Sequence, residues 1–179
     1  DPTRALQQPL RTLQTLWNGR FALPMKNPGR QPVRYEQVSL NDLPLITHWK
    51  MDGGPFITLP QVYTEDADQP GIQHSNLGMY RIQLKGNDYE SGAEVGLHYQ
   101  LHRGIGVHQW KAQRKQVPFK VSCFVGGPPS HALAAVMPLP EGMSETAFAG
   151  VLGRRRFRYS YEDGYCLSTD ADFVLCGTV

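Results

Sequence analysis

The sequence predicts an α+β protein, mainly β: six short strands forming a barrel-like sheet with short helices packed on it. Three observations carry this. Short runs rich in β-branched and aromatic residues recur, with Gly, Pro, Asn and Asp between them. Three stretches switch to helical spacing and carry helix-start or helix-stop residues. The 179 residues are 40% hydrophobic and 10% aromatic at a net charge of +2, which excludes a disordered chain.

Residues 1–42 read as a connector or tail of a preceding α/β domain. Leu6, Leu10, Leu13 and Trp17 make one helical stripe. Asn18-Gly19 stops it, and Pro24, Pro28, Gly29 and Pro32 break the next stretch into loop. Residues 43–179 read as the domain proper. Its candidate strands are Pro55–Leu59, Leu77–Leu84, Val95–Leu101, Phe119–Val125, Arg156–Tyr161 and Phe173–Thr178. The turn signal Gly86-Asn87-Asp88 follows the second of them. The candidate helices are Ile105–Lys115, Pro129–Val136 and Glu145–Leu152. Pro129 suits a first helical turn, where its missing N–H costs nothing. Ser144 is the expected N-cap of the last helix and Gly153 its expected stop.

Several function classes are disfavoured. Eighteen basic residues nearly balance sixteen acidic ones, so there is no strong general pull toward nucleic acid or anionic membrane. The run Arg154-Arg155-Arg156-Phe157-Arg158 is short, and Glu162, Asp163, Asp170 and Asp172 offset it. No apolar run approaches the roughly 20 residues that cross a bilayer. Cys123, Cys166 and Cys176 are few, odd in number and widely spaced. They fit reduced thiols packed as small hydrophobes in a cytoplasmic compartment. A start at Asp1 rather than Met reads as a piece of something longer.

Four stretches can carry chemistry. Asn76-Leu77-Gly78-Met79-Tyr80-Arg81 places Asn, Tyr and Arg together. On a continuous strand Met79 and Arg81 share one face and Tyr80 takes the other. Arg81 suits a bidentate grip on carboxylate or phosphate, or is a surface arginine at a strand end. His98-Tyr99-Gln100-Leu101-His102-Arg103-Gly104 runs from strand into helix. Its helix start, with Arg103 beside it, favours a phosphate. His98, Gln100 and His102 would alternate on one strand face as a polar wall. Gly126-Gly127-Pro128-Pro129 reads as a tight connection. In Met137-Pro138-Leu139-Pro140-Glu141-Gly142-Met143-Ser144-Glu145, the last residue either favours the helix dipole or is a hard oxygen ligand for a divalent cation.

Together with Asp52-Gly53-Gly54-Pro55-Phe56-Ile57-Thr58, Leu101-His102-Arg103-Gly104, Phe148-Ala149-Gly150 and Val174–Val179, these stretches resemble the UbiD-type decarboxylases over about residues 43–179. The resemblance implies a six-stranded split β-barrel of the FMN-binding type, flanked by short helices. It implies prenylated FMN as cofactor, with a divalent metal, Mn or Mg, and K as an optional second cation. Asn76, His102 and Glu145 take the metal-ligand positions. Met79, Tyr80, Arg81, His98, Tyr99, Gln100, Arg103 and Gly104 take the cofactor-contact positions. Arg81 also matches the arginine of the catalytic acid–arginine–acid network. The implied activity is reversible, non-oxidative decarboxylation of an aromatic or α,β-unsaturated carboxylic acid, with the flavin as electron sink. The implied partners are that small acid, the N- and C-terminal domains of the same enzyme, a second copy in a homo-oligomer, and a flavin prenyltransferase that supplies the cofactor. The family's two catalytic acids would follow Val179, so the chain alone is expected to be inactive. The rival expectation is a non-catalytic barrel module that binds flavin or nucleotide.

Overall fold

The computed structural model describes residues 9–27, 29, 32–140 and 142–179. Leu6, Pro28 and Glu141, named above, lie outside them. Four α-helices and ten strands are formed among the described residues. The helices are α1 (Pro9–Gly19), α2 (Gly104–Lys115), α3 (Pro129–Val136) and α4 (Glu145–Gly153). The strands are β1 (Met25–Lys26), β2 (Phe56–Ile57), β3 (Gln61–Glu65), β4 (Ser75–Met79), β5 (Arg81–Gln83), β6 (Gly96–His98), β7 (Lys120–Val125), β8 (Arg158–Glu162), β9 (Tyr165–Ser168) and β10 (Phe173–Thr178).

The strands lie in three sheets: β10-β7-β3-β4, β2-β5-β6 and β1-β8-β9. The expectation of six strands is therefore too low. The run Leu77–Leu84 is also not one strand. It breaks at Tyr80, so β4 belongs to the four-stranded sheet and β5 to a three-stranded one. β3 escapes the sequence pattern because it is covered on both faces: Gln61, Val62, Tyr63 and Thr64 are all buried. Such a strand need not alternate apolar and polar residues. Two of its buried polar side chains find distant partners, although Gln61 Oε1 has none among the described residues. Gln61 Nε2 donates to the Gly126 carbonyl, and Thr64 Oγ1 lies 3.0 Å from His108 Nδ1.

Helix chemistry follows the sequence closely. Ser144 Oγ accepts from the Ala147 N–H as the N-cap of α4. The stop of that helix falls one residue later than expected: Gly153 stays helical, and Arg154 takes the left-handed conformation at φ 48°. α1 ends at Gly19 and leads into a 3-10 turn, Arg20–Ala22, packed against α4. β1 then runs parallel to β8.

Two cores sit on opposite faces of the four-stranded sheet. Val62 and Cys123, paired across β3 and β7, pack with Ile82 and with Ile105 and Ala112 of α2. Tyr63 and Phe124 on the other face pack with Leu77, Phe157 and Cys166. Phe157 points inward from the arginine run and is fully buried. Arg155 and Arg158 both pair with the covered carboxylate of Asp170, and Arg156 donates to the Arg20 carbonyl. All three cysteines are free. Cys123 and Cys166 are buried, and burial pushes the Cys123 thiol up to about 12. Cys176 is exposed rather than packed. No helix is long and apolar enough to cross a membrane among the described residues.

Candidate functional site

A cleft of about 1470 Å³ opens where the chain passes from β4 to β5. Its walls are β4 and β5, the turn between β6 and α2, the first turn of α2, and residues 135–140 and 142–145. Every site residue named above lines it.

Asn76 sits on β4, opposite Thr64 of β3. Its Nδ2 donates to the Tyr80 hydroxyl at 3.3 Å. Its Oδ1 lies against the start of α2, where a Cβ on residue 104 would come within 2.2 Å. Gly104 thus leaves room for the Asn76 amide in its present position. Glu145 opens α4, half-buried, and its Oε2 accepts the Leu77 N–H at 3.3 Å. That bond brings Glu145 alongside Asn76. Burial raises the Glu145 carboxyl above the usual carboxylate range, and hydrogen bonds from its own and the Leu77 N–H oppose the shift. Among the described residues no cation is paired with it. His102 shares the cleft but is exposed, in the turn before α2.

Tyr80 fills the break between the two sheets. Its ring passes so close to Gly78 that a Cβ there would lie 2.5 Å away, and it meets Tyr99 edge to face at 6.2 Å. Burial raises its phenol above the ordinary value; the Asn76 and Ile105 N–H groups and Arg103 oppose this, and Glu145 adds to it. Arg81 lies beyond the break on β5, exposed, paired in register with His98. Its guanidinium stands 4.9 Å from the Phe56 ring centroid and 3.8 Å from Asp52 Oδ1. His98 meets the Phe56 ring edge-on. Met79 closes β4 beside them.

β6 stops at His98, so Gln100 and His102 do not continue a strand face. They line the cleft from a turn instead, because the chain must reverse into α2. Arg103 is the N-cap residue of α2 and makes no capping bond with its side chain. The first turn of α2 therefore keeps its partial positive charge, with its Ile105 N–H turned to the Tyr80 hydroxyl. Arg103 Nε reaches Gln100 Oε1 at 3.4 Å.

Two groups in this region carry no sequence signal. Asp52 stands in one of the motifs without a role, and the structure sets it against Arg81. His108 lies one turn beyond Gly104, buried against Thr64, also lining the cleft. Burial pushes it below the ordinary histidine value, with Asp66 pulling the other way.

The donor set suits a hard cation beside an anion. Asn76 and Glu145 offer oxygens, Glu145 lacks a cation partner among the described residues, and the helix start with Arg103 sets positive charge next to them. No group of three His, Cys, Asp or Glu side chains is arranged for a metal among the described residues; the set depends on the Asn76 amide.

Cleft and sheets together define a mixed α/β domain with a polar cleft at the seam between two sheets. The comparisons with known proteins then identify it: the chain belongs to the UbiD family. The matching family description is the 3-octaprenyl-4-hydroxybenzoate carboxy-lyase Rift-related domain, over residues 25–179. The chain is 37% identical over 176 residues to a 4-hydroxybenzoate decarboxylase polypeptide of Chlamydia pneumoniae, covering 92% of this chain and 29% of that protein. It is similar in fold to the Sedimentibacter hydroxybenzoicus vanillic acid decarboxylase in closed form, with TM-score 0.75 and 23% identity, covering 92% of this chain and 37% of the other. An evolved dimeric form of the UbiD-class enzyme HmfF from Pelotomaculum thermopropionicum, in complex with prFMN, matches at TM-score 0.73 and 22% identity over 90% of this chain and 39% of the other. The chain thus spans under a third of the curated relative's length.

Proposed function

We propose that this chain is the cofactor- and metal-holding domain of a UbiD-type carboxy-lyase acting on an aromatic or α,β-unsaturated carboxylic acid. The observation that carries the reading is the convergence on one cleft of the stretches around residues 76–81, 98–104 and 137–145. They are far apart in sequence, and the fold brings them together. In this reading the three sheets correspond to an FMN-type split barrel. Residues 1–42 serve as the tail of a preceding domain, and the full-length protein forms a homo-oligomer.

Prenylated FMN, when bound, supplies the electron sink for loss of carbon dioxide. The rest is the work of the chain's own residues. Asn76, Glu145 and His102 would hold Mn or Mg, and Arg103 with the N–H groups of α2 would hold the flavin phosphate beside that charge. Met79, Tyr80, His98, Tyr99, Gln100 and Gly104 would wall the cofactor. Arg81 would grip the substrate carboxylate. Its guanidinium lines the cleft beside the Phe56 ring, with Asp52 at 3.8 Å as its ion-pair partner among the described residues, so donors remain for a ligand. A group positioned to donate a proton to product is also required, and the chain covers only 29% of its curated relative. The chain alone should release no carbon dioxide.

The test is calorimetric titration of prenylated FMN into the chain with and without Mn²⁺, for wild type and Glu145→Ala. Metal-dependent binding that is lost in Glu145→Ala is the expected result. Binding unaffected by metal or by Glu145→Ala would favour a plain flavin module.

A further inference from the structure

Arg81 stands on the cleft wall with its side chain 68% exposed. An arginine so exposed has many rotamers open to it, and gripping a carboxylate costs the entropy of choosing one. The structure limits that choice. Phe56 of β2 pairs with Gln83 of β5, and Arg81 lies two residues before Gln83 on the same strand. Residues two apart on a strand share a face. Phe56 and Arg81 are therefore diagonal cross-strand neighbours, a separation that an aromatic and a long side chain can bridge. The guanidinium carbon lies over the Phe56 ring, 4.9 Å from its centroid. A ring face attracts a cation within about 6 Å. It offers no carbonyl or carboxylate to the guanidinium, so it restrains Arg81 and leaves the N–H donors open. Asp52 Oδ1, at 3.8 Å, is an ion-pair partner too distant for a hydrogen bond.

Phe56 is itself held in place. Its N–H donates to the Ile46 carbonyl at 3.2 Å, and the Leu84 N–H donates to the neighbouring Pro55 carbonyl at 2.8 Å. The buried Gln83 side chain donates to the Gly53 carbonyl at 2.8 Å, which ties the segment entering β2 to β5. His98, opposite Arg81 in the sheet, meets the ring edge-on at 6.3 Å. Phe56 lies behind Arg81 and not in the cleft wall, so it acts on a ligand there only through Arg81.

We propose that Phe56 is a positioning residue: its ring face holds the Arg81 guanidinium at the cleft wall with its donors free, and so sets the affinity of the site for a carboxylate. This rests on the reading of Arg81 as the group that grips the substrate carboxylate. A purely structural role for Phe56 would need only an apolar side chain of similar bulk; this role needs the ring.

The experiment is a titration of para-fluorobenzoate into the 179-residue chain, with binding read from the fluorine resonance of the probe. Four proteins are compared: wild type, Arg81→Lys, Phe56→Leu and Phe56→Tyr. Arg81→Lys loses the two-pronged grip and should weaken binding at least about tenfold. Phe56→Leu keeps the apolar bulk and should weaken it about two- to fivefold, the worth of an exposed cation–π contact. Phe56→Tyr keeps the ring face and should stay within about twofold of wild type. Nitrogen relaxation of the Arg81 Nε–H, assigned by its absence in Arg81→Lys, reads the positioning directly. That group should be ordered in wild type and Phe56→Tyr and mobile in Phe56→Leu. Thermal midpoints show whether each variant is folded. An Arg81 Nε–H that is fully mobile in the wild type, wild-type affinity in Phe56→Leu, or equal losses in Phe56→Leu and Phe56→Tyr each overturn the inference while leaving the Arg81 reading standing. Probe binding that is absent in the wild type, or unchanged by Arg81→Lys, overturns that reading and the inference with it.

Discussion

Gly104→Ala separates the site from the fold more sharply than any other single change. The added Cβ would stand 2.2 Å from Asn76 Oδ1 and 2.9 Å from its Cγ. A relaxed carbon–oxygen contact needs roughly 3.4 Å, so the amide oxygen must retreat by on the order of 1 Å. The atoms met belong to a side-chain end and not to backbone, so the helix and β4 can stay in place. Gly104 is helical, and alanine there gains a few tenths of a kcal/mol up to about 1 kcal/mol in backbone entropy. The fold should be as stable as wild type or slightly more so. Metal–oxygen bonds tolerate only about 0.2 Å of misplacement, so the shifted oxygen no longer ligates. Mn²⁺ affinity should fall at least about tenfold while the thermal midpoint holds or rises. Electron paramagnetic resonance and a thermal melt on the same preparation read the two. Wild-type Mn²⁺ affinity in Gly104→Ala would refute the reasoning, because it would mean that Asn76 Oδ1 is not where the cation binds.

Three further changes test the frame around the site. Phe157→Ala removes a fully buried ring that packs on Phe124 and His131 and should cost about 3–5 kcal/mol in urea unfolding; a loss under about 1 kcal/mol would show that this core is not shared. His131 is held below the ordinary histidine value by burial, opposed by Asp170. Its unfolded form therefore binds more protons, so the stability it contributes is present above about pH 6.5 and is lost as pH falls below that. The drop in thermal midpoint between about pH 7.5 and pH 5.5 should shrink, without vanishing, in His131→Phe, since His108 is shifted the same way; an unchanged drop would rule His131 out as a source. Ser144→Ala removes the cap of the helix that begins with Glu145 and should cost about 1 kcal/mol, readable by urea unfolding, with weaker Mn²⁺ binding because Glu145 loses its anchored helix start; undiminished stability would refute the capping assignment.

The helices are legible in the sequence because their ends are written in local chemistry: Pro129, Ser144 and the Gly19 stop each act within one turn. Strand β9 is equally readable, although the strand pattern above omits it. Asp163-Gly164, both at positive φ, joins β8 and β9 in a two-residue turn, and Asp-Gly between two β-rich runs is a strong hairpin signal. β3 is not readable in that way. Gln61 and Thr64 look like surface residues until Gly126 and His108 are brought to them from more than forty positions away. The site stretches are legible through their order and spacing. Asp52 and His108 are not, because what makes each notable is a neighbour supplied by another part of the chain.

The break at Tyr80 explains why one short stretch can serve both halves of the proposed chemistry. On a continuous strand, Asn76 and Arg81 would belong to one sheet, and Met79 and Arg81 would share a face. The structure instead ends β4 at Met79 and starts β5 at Arg81 in a different sheet. Asn76 thereby stays beside α2 and α4, where the helix start and Glu145 lie, while Arg81 is carried over to Phe56, His98 and Asp52. The proposed cation-and-phosphate end and the proposed carboxylate end of the cleft are thus set by different sheets but joined through residues 76–81. Tyr80 is the hinge of that arrangement: its backbone makes the break, and its hydroxyl returns to Asn76. Any motion of one sheet relative to the other would act on both ends of the cleft through this residue.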